Sequence, residues 1–361
     1  MMRRQEIYSL TGLRGAAATL VMFYHFNASR LVSWVGGHIL GHCYLMVDLF
    51  LVLSGFILAM TYGQRFEQGV ELQSYGTFVK RRFARIFPIF FLMTITAGIL
   101  IATGWMDHWP GPAIPVSGLI NFTMLQSVLH VPTLDTPGWS VSAEWIASLL
   151  FPFFALLFLR RSWMWAILGA VIGLITLPVL VHLPALAHEP KRAGLMDLWN
   201  YETIYPVVRC IAEFILGVIT FRVSQLAWVK QLISHDWIAP VLFFLILVLM
   251  AMRQADVWVV ALLPLFILSL ISRTNIVARF MGSKPIYRLG QISYSIYLIH
   301  NQMNYFMLSF ARYLESIGVG QTAANTIAMF IFVAIVIVFA EMVYRYIEKP
   351  ARNYINGFVL R

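Results

Sequence analysis

Charge is what this chain has least of. Of its 361 residues 12% are charged and 60% are hydrophobic, and the mean hydropathy is +0.77. A soluble domain carries about 25% charged residues, so a soluble globular protein is excluded. Acid is scarcer than base: 16 Asp and Glu stand against 26 Lys and Arg, a net charge of +10. That balance would fit a nucleic-acid partner only if the cations formed a patch, and their positions follow membrane topology instead. There are two cysteines, Cys43 and Cys210. Both fall in or beside apolar segments, and two such residues make no disulfide framework. A phosphate-binding glycine loop, a dinucleotide fingerprint, an internal repeat and a flexible linker are also missing.

What is present is a series of apolar runs, each about 17–25 residues long. They lie near 10–32, 44–62, 83–103, 139–159, 163–183, 204–223, 237–252, 257–271, 289–313 and 323–346. The pattern predicts an all-α polytopic membrane protein with about ten transmembrane helices and one integral-membrane domain over residues 1–361, with no appended soluble domain. Met1, Met2, Arg3 and Arg4 resemble the start of a signal peptide, but the run that follows carries Arg14 and is too long, so it reads as a retained span. With the N-terminus in the cytoplasm, nineteen basic residues fall on the cytoplasmic side and five outside. This bias predicts both termini in the cytoplasm. The loop around 104–138 has five prolines and no Lys or Arg. Its apolar stretch 116–131 is expected at the interface or dipping back into the membrane. Trp105, Trp109, Trp139, Trp199 and Trp237 fit an aromatic belt.

Ionisable residues inside such runs are costly, so they mark functional sites by default. The first run holds Arg14 and His25. Eleven helical residues make about three turns with roughly 20° left over, so both side chains leave one face about 16 Å apart. Topology places His25, Asp48, Glu144 and His300 on four helices at one depth in the outer part of the membrane. These are the candidate catalytic residues. A histidine beside a carboxylate, Asp48 or Glu144, would make a general base near neutral pH. Toward the cytoplasm Arg14, Arg82, Arg85, Lys284 and Arg288 are candidates for holding a phosphorylated ligand, because Arg offers bidentate hydrogen bonds to phosphate. Arg209 and Glu213 lie four apart mid-span and read as a structural pair. His38, His42 and Cys43 offer at most three metal ligands on one short loop, so no metal is expected.

Six motifs in order resemble the acyltransferase-3 family of membrane O-acyltransferases. They are Arg14 with His25; Asp48 through Ser54-Gly55-Phe56; Arg82-Phe-Ala-Arg85-Ile-Phe-Pro88; Trp139-Ser-Val-Ser-Ala-Glu144; Ser293 through His300; and Glu348-Lys349-Pro350-Ala351-Arg352. Met46 and Leu51 depart from the expected pattern, as do Asn301 and Gln302, which stand where Trp and Pro are common. The resemblance implies a bacterial inner-membrane enzyme decorating surface carbohydrate such as exopolysaccharide. It implies acetyl-coenzyme A as cytoplasmic donor and a glycan or lipid-linked sugar as outer acceptor, with no nucleic-acid partner. Phosphates held by Arg14, Arg82 and Arg85 would place the thioester near His25, which takes the hydroxyl proton or forms an acyl intermediate. Ser54, Tyr294 and Tyr297 are unranked donors to the oxyanion. A proton-coupled transporter would need the same intramembrane groups. It differs in predicting substrate uptake without acyl transfer.

Overall fold

The computed structural model describes residues 6–31, 34–106, 109–183, 194–198, 203–252, 254–272 and 274–357. Among them the chain is helical and has no strand. The helices are α1 (Tyr8–His25), α2 (Trp34–Gly41), α3 (Met46–Phe66), α4 (Leu72–Ala102), α5 (Ile114–Phe122), α6 (Gly138–Ala155), α7 (Trp163–Val181), α8 (Tyr205–Val223), α9 (Ala227–Ile233), α10 (Ile238–Met250), α11 (Asp256–Ser269), α12 (Ile276–Met281), α13 (Lys284–Gln291), α14 (Ser293–Ser316), α15 (Gln321–Val343) and α16 (Lys349–Gly357).

Five helical stretches are long and apolar enough to cross a membrane: Cys43–Phe66, Leu72–Ala102, Gly138–Arg160, Trp163–Val181 and Gln321–Gly357. The pair α9 and α10, bent by 75°, makes a sixth if counted as one span. The chain is a multi-pass membrane protein by this measure. The remaining long helices, α1, α8 and α14, are the ones that carry His25, Arg209 and His300. Their polar cargo dilutes their hydropathy, and they are enclosed by the more apolar helices. Apolar side chains point outward instead, as on α7, where Ile167, Ile172 and Ile175 are exposed.

α3 packs along α8, α14 along α15, and α1 against α13 and α14. The α3–α8 contact is a close backbone crossing. A Cβ on Gly55 would lie 2.1 Å from the carbonyl oxygen of Phe214, and one on Gly217 would lie 1.9 Å from that of Val52. Small residues let helices approach this closely where lipid supplies no hydrophobic drive.

Three expectations are adjusted. α4 begins at Leu72 rather than near Phe83, because the polar segment before the apolar run continues the helix. The 116–131 stretch, expected at the interface or dipping back, is instead a short helix followed by a loop docked on its neighbour. After α5 it turns back onto α6: Ser127 N donates to Ser142 Oγ at 3.2 Å, and Asn121 receives the backbone N–H of Leu134 at 3.2 Å. Val32 falls outside the described residues, and the first helix ends at His25.

Candidate active site

His25 is the last residue of α1 and His300 lies in the second turn of α14. Their rings are 4.9 Å apart, with His300 Nε2 3.1 Å from His25 Nδ1. Two carbonyls set the tautomers. His300 Nδ1 is 2.6 Å from the oxygen of Tyr297. A carbonyl only accepts, so this nitrogen carries the proton and the neutral ring leaves Nε2 bare. His25 Nδ1 then donates, shared between His300 Nε2 and the carbonyl of Val21 at 3.0 Å. The lone pair on His25 Nε2 is left free for a substrate proton. Asn304, one turn beyond His300, donates from Nδ2 to the backbone oxygen of His25 at 2.9 Å and ties α14 to the end of α1.

Neither expected carboxylate is bonded to His25. Asp48 is held by Arg209, whose Nη2 and Nε lie 2.5 and 2.9 Å from its two oxygens. Arg209 also reaches Glu213 Oε1 at 3.3 Å, so the expected i,i+4 pair exists with Asp48 as a third member. Glu144 receives Arg82 Nη2 at 2.7 Å and Ser54 Oγ at 2.8 Å. The physical reason is competition: a carboxylate binds a permanent cation in preference to a neutral imidazole, and charge-assisted bonds are about twice as strong. The oxyanion donors are similarly engaged. Ser54 donates to Glu144, Tyr294 donates to the carbonyl of Ile86 at 2.8 Å, and Tyr297 shares a bond with Ser140 at 2.7 Å. Tyr297 lies beside the imidazoles, its ring 5.8 Å from that of His300.

The basic cluster is smaller than expected. Arg14 has Arg85, Arg82, Glu144 and Glu348 as charged neighbours. Arg85 Nη1 lies 3.7 Å from Glu348 Oε1, and Ser295 Oγ donates to Glu348 Oε2 at 2.9 Å. Glu348 reaches this position from a π-helical turn, Tyr344–Glu348, between α15 and α16. Such turns recur at functional sites. Among the described residues Arg14 itself makes no side-chain hydrogen bond or ion pair. Arg288 is drawn away by Glu341 and by Gln291 at 2.6 Å, and Lys284 is exposed at the start of α13.

Residues that composition and spacing passed over also belong here. Asp135, in the loop before α6, is fully buried and receives Gln302 Nε2 at 3.3 Å. Gln302 is further fixed by Met93 and Thr96 at 2.8 Å each. Asn304 had a signal, its i+4 spacing from His300. Asp135 had none, because a loop acid predicts no neighbour. Elsewhere Tyr44 donates to buried Asp256, which also receives Met196 N at 2.9 Å and faces His42 at 3.7 Å.

The site is therefore an imidazole pair at one end of a helix and, eleven residues away, a guanidinium with no side-chain partner among the described residues, inside a multi-pass helical membrane protein. The chain belongs to the acyltransferase family, whose acyltransferase domain matches residues 7–345. It is 28% identical to the acyltransferase MdmB of Streptomyces mycarofaciens, over 81% of this chain and 77% of that protein. It is 24% identical to the peptidoglycan O-acetyltransferase OatA of Listeria monocytogenes and to the O-acetyltransferase OatA of Staphylococcus aureus, over 99% of this chain in both cases. The alignments span 57% and 59% of those two relatives. No solved structure matches. Membership in an acyltransferase family favours acyl transfer over the carrier reading.

Proposed function

We propose that this protein transfers an acetyl group from cytoplasmic acetyl-coenzyme A to a carbohydrate hydroxyl on the outer side of a bacterial inner membrane, with both chain termini in the cytoplasm. The observation that carries this reading is the placement of Arg14 and His25 on one helix. An unpaired guanidinium beside Arg82 and Arg85 suits the donor's phosphates. The imidazole lies about 16 Å further along the axis, a span comparable to an extended pantetheine arm. His25 Nε2, bare in the assigned tautomer, takes the proton of the acceptor hydroxyl as its oxygen attacks the thioester carbonyl carbon. The carbon–sulfur bond breaks, and His25 returns the proton to the departing thiolate. Coenzyme A and an O-acetyl ester are the products, and no acyl-enzyme is needed. His300 holds the tautomer of His25 and shares the positive charge that forms on it.

The test is release of coenzyme A thiol by the purified protein in nanodiscs given acetyl-coenzyme A, with and without carbohydrate from a deletion strain. Thiol release that depends on the carbohydrate, with one acetyl mass gained by it, is expected. Uptake of substrate by vesicles with no ester formed would refute the proposal.

A further inference from the structure

His300 shares one face of α14 with three other polar side chains. Measured around the helix axis from His300, Asn304 leaves about 40° away, Tyr297 about 60° and Asn301 about 100°. His300 and Asn304 are i,i+4 neighbours, as are Tyr297 and Asn301, and Asn301 is i,i+3 from Asn304, so the four tile one surface. All are buried, none more than 7% exposed. His25 meets this surface through two atoms. Its Nδ1 lies 3.1 Å from His300 Nε2, and its backbone oxygen accepts Asn304 Nδ2 at 2.9 Å. Gln302 leaves the other side of the helix, about 200° round, toward Met93, Thr96 and Asp135, and is no part of it.

Two atoms of this surface have no partner in the protein: Asn301 Nδ2, a donor, and Asn304 Oδ1, an acceptor. Asn304 is oriented by its bond to His25. A carbonyl accepts only, so its nitrogen is spent there and its oxygen is left over. The two amides sit one turn apart and do not bond each other. Burying an unpaired donor is costly. Among the described residues the other buried side-chain nitrogen without a partner is Arg82 Nε, on a guanidinium already held by Glu144. The hydroxyls of Ser54, Tyr294 and Tyr297 are engaged elsewhere. An oxyanion that forms beside His25 needs an N–H or O–H aimed at it, and Asn301 Nδ2 is the uncommitted one on this surface. We propose that Asn301 is a catalytic residue whose Nδ2 donates to the thioester oxygen as it becomes an oxyanion. This rests on the acyl-transfer reading above. As the acceptor oxygen bonds to the carbonyl carbon, one electron pair of the C=O bond moves onto its oxygen, where Asn301 receives the charge. Collapse restores the C=O bond and breaks the carbon–sulfur bond, and the thiolate takes the proton held by His25. The hydrogen bond strengthens as the charge forms, so it speeds the step more than it tightens the donor. The open acceptor fits the same ligand: a cysteamine thioester carries an amide N–H one ethylene unit from its sulfur, a match for Asn304 Oδ1.

The experiment uses the full-length protein in nanodiscs, acetyl-coenzyme A, and carbohydrate extracted from the deletion strain and stripped of esters by mild base. Asn301→Leu, close to Asn in size but without a donor, should lower kcat by about 10²–10³-fold, the effect of one oxyanion donor. The KM values for acetyl-coenzyme A and for the extract should stay within about threefold. A second readout is the infrared stretch of the carbon-13-labelled thioester carbonyl in bound acetyl-coenzyme A, recorded without acceptor. It should lie at lower frequency in the wild type than in Asn301→Leu, and lower than in an apolar solvent; a residue that only packs would leave it unmoved. Asn301→Ala carries both measurements if Asn301→Leu fails to fold. The proposal is overturned if the variant keeps the wild-type kcat, or if the wild-type band matches that in the apolar solvent. It is also overturned if the loss falls on the KM for the extract alone, the result for an amide that holds the acceptor. Failure of the acyl-transfer reading looks different: the wild type itself would release no thiol with the extract.

Discussion

Two backbone carbonyls, those of Val21 and Tyr297, do at this site what a carboxylate does in many acid–base centres. Each fixes which ring nitrogen carries the proton, and between them they leave Nε2 of His25 without one, the nitrogen assigned to the acceptor proton in the proposed transfer. His25→Ala removes that base, and turnover should fall by about 10²–10⁴-fold while the protein still inserts and keeps its donor affinity. His300→Ala should cost less, because the carbonyl of Val21 still holds the His25 proton. Measuring kcat for both variants checks the order, and equal losses would make His300 a second base. Arg209 answers to a different force. It is 1% exposed and bridges two carboxylates. Arg209→Met should destabilise the fold by about 3–5 kcal/mol, since both carboxylates are then stranded. An unchanged unfolding temperature with a raised donor KM would move Arg209 from the scaffold to the donor site. At this scale the sequence was legible where a helix period fixed the geometry. Arg209 with Glu213 followed from i,i+4 spacing, and Arg14 with His25 from eleven residues on one helix. It was illegible where neighbours sit on different helices. Hydropathy tells the depth of Asp48, Glu144, His25 and His300 but not the direction each one faces, and the two acids face Arg209 and Arg82 rather than His25.

Among the elements, the α3–α8 crossing matters most to the site, because it delivers Asp48 to Arg209 over the backbone contact at Gly55 and Gly217. Even one methyl group at 217 would lie 1.9 Å from the carbonyl oxygen of Val52, so the helices must part. Gly217→Ala should lower the unfolding temperature and the activity together, although the residue touches no polar group of the site; a variant with wild-type melting would show that the crossing is loose. Apolar run length located long helices but not their number: ten spans are expected, and among the described residues five helical stretches, or six with the bent pair, are long and apolar enough to cross. The start of α4 and the fold-back of 123–134 were not readable either, since helix continuation through a polar segment and the docking of a loop are decided by tertiary partners.

The whole molecule is enclosed by apolar helices and carries its cations asymmetrically, which predicts a fixed orientation. Cys43 and Cys210 are both buried, so the native protein gives little background to thiol probes. Ser162→Cys and Ser316→Cys, at exposed positions between α6 and α7 and at the end of α14, should then report opposite sides. A membrane-impermeant maleimide should label residue 316 in intact cells and residue 162 only after lysis. The reverse pattern would invert the molecule and place the arginines outside.

Because Arg14 and His25 share one uninterrupted helix, α1 would work, under the proposed transfer, as a ruler with a fixed phase. Such a ruler would measure the carrier arm between phosphate and sulfur and be blind to the acyl chain beyond the thioester. Length discrimination among acyl groups must therefore come from whatever packs past His25, and substitutions at Arg14 should leave the acetyl-to-longer-acyl ratio unchanged. One alanine inserted between residues 17 and 18 would lengthen the ruler by only about 1.5 Å but turn His25 by about 100° relative to Arg14. Activity should be lost through the rotation and not through the length, with donor binding retained.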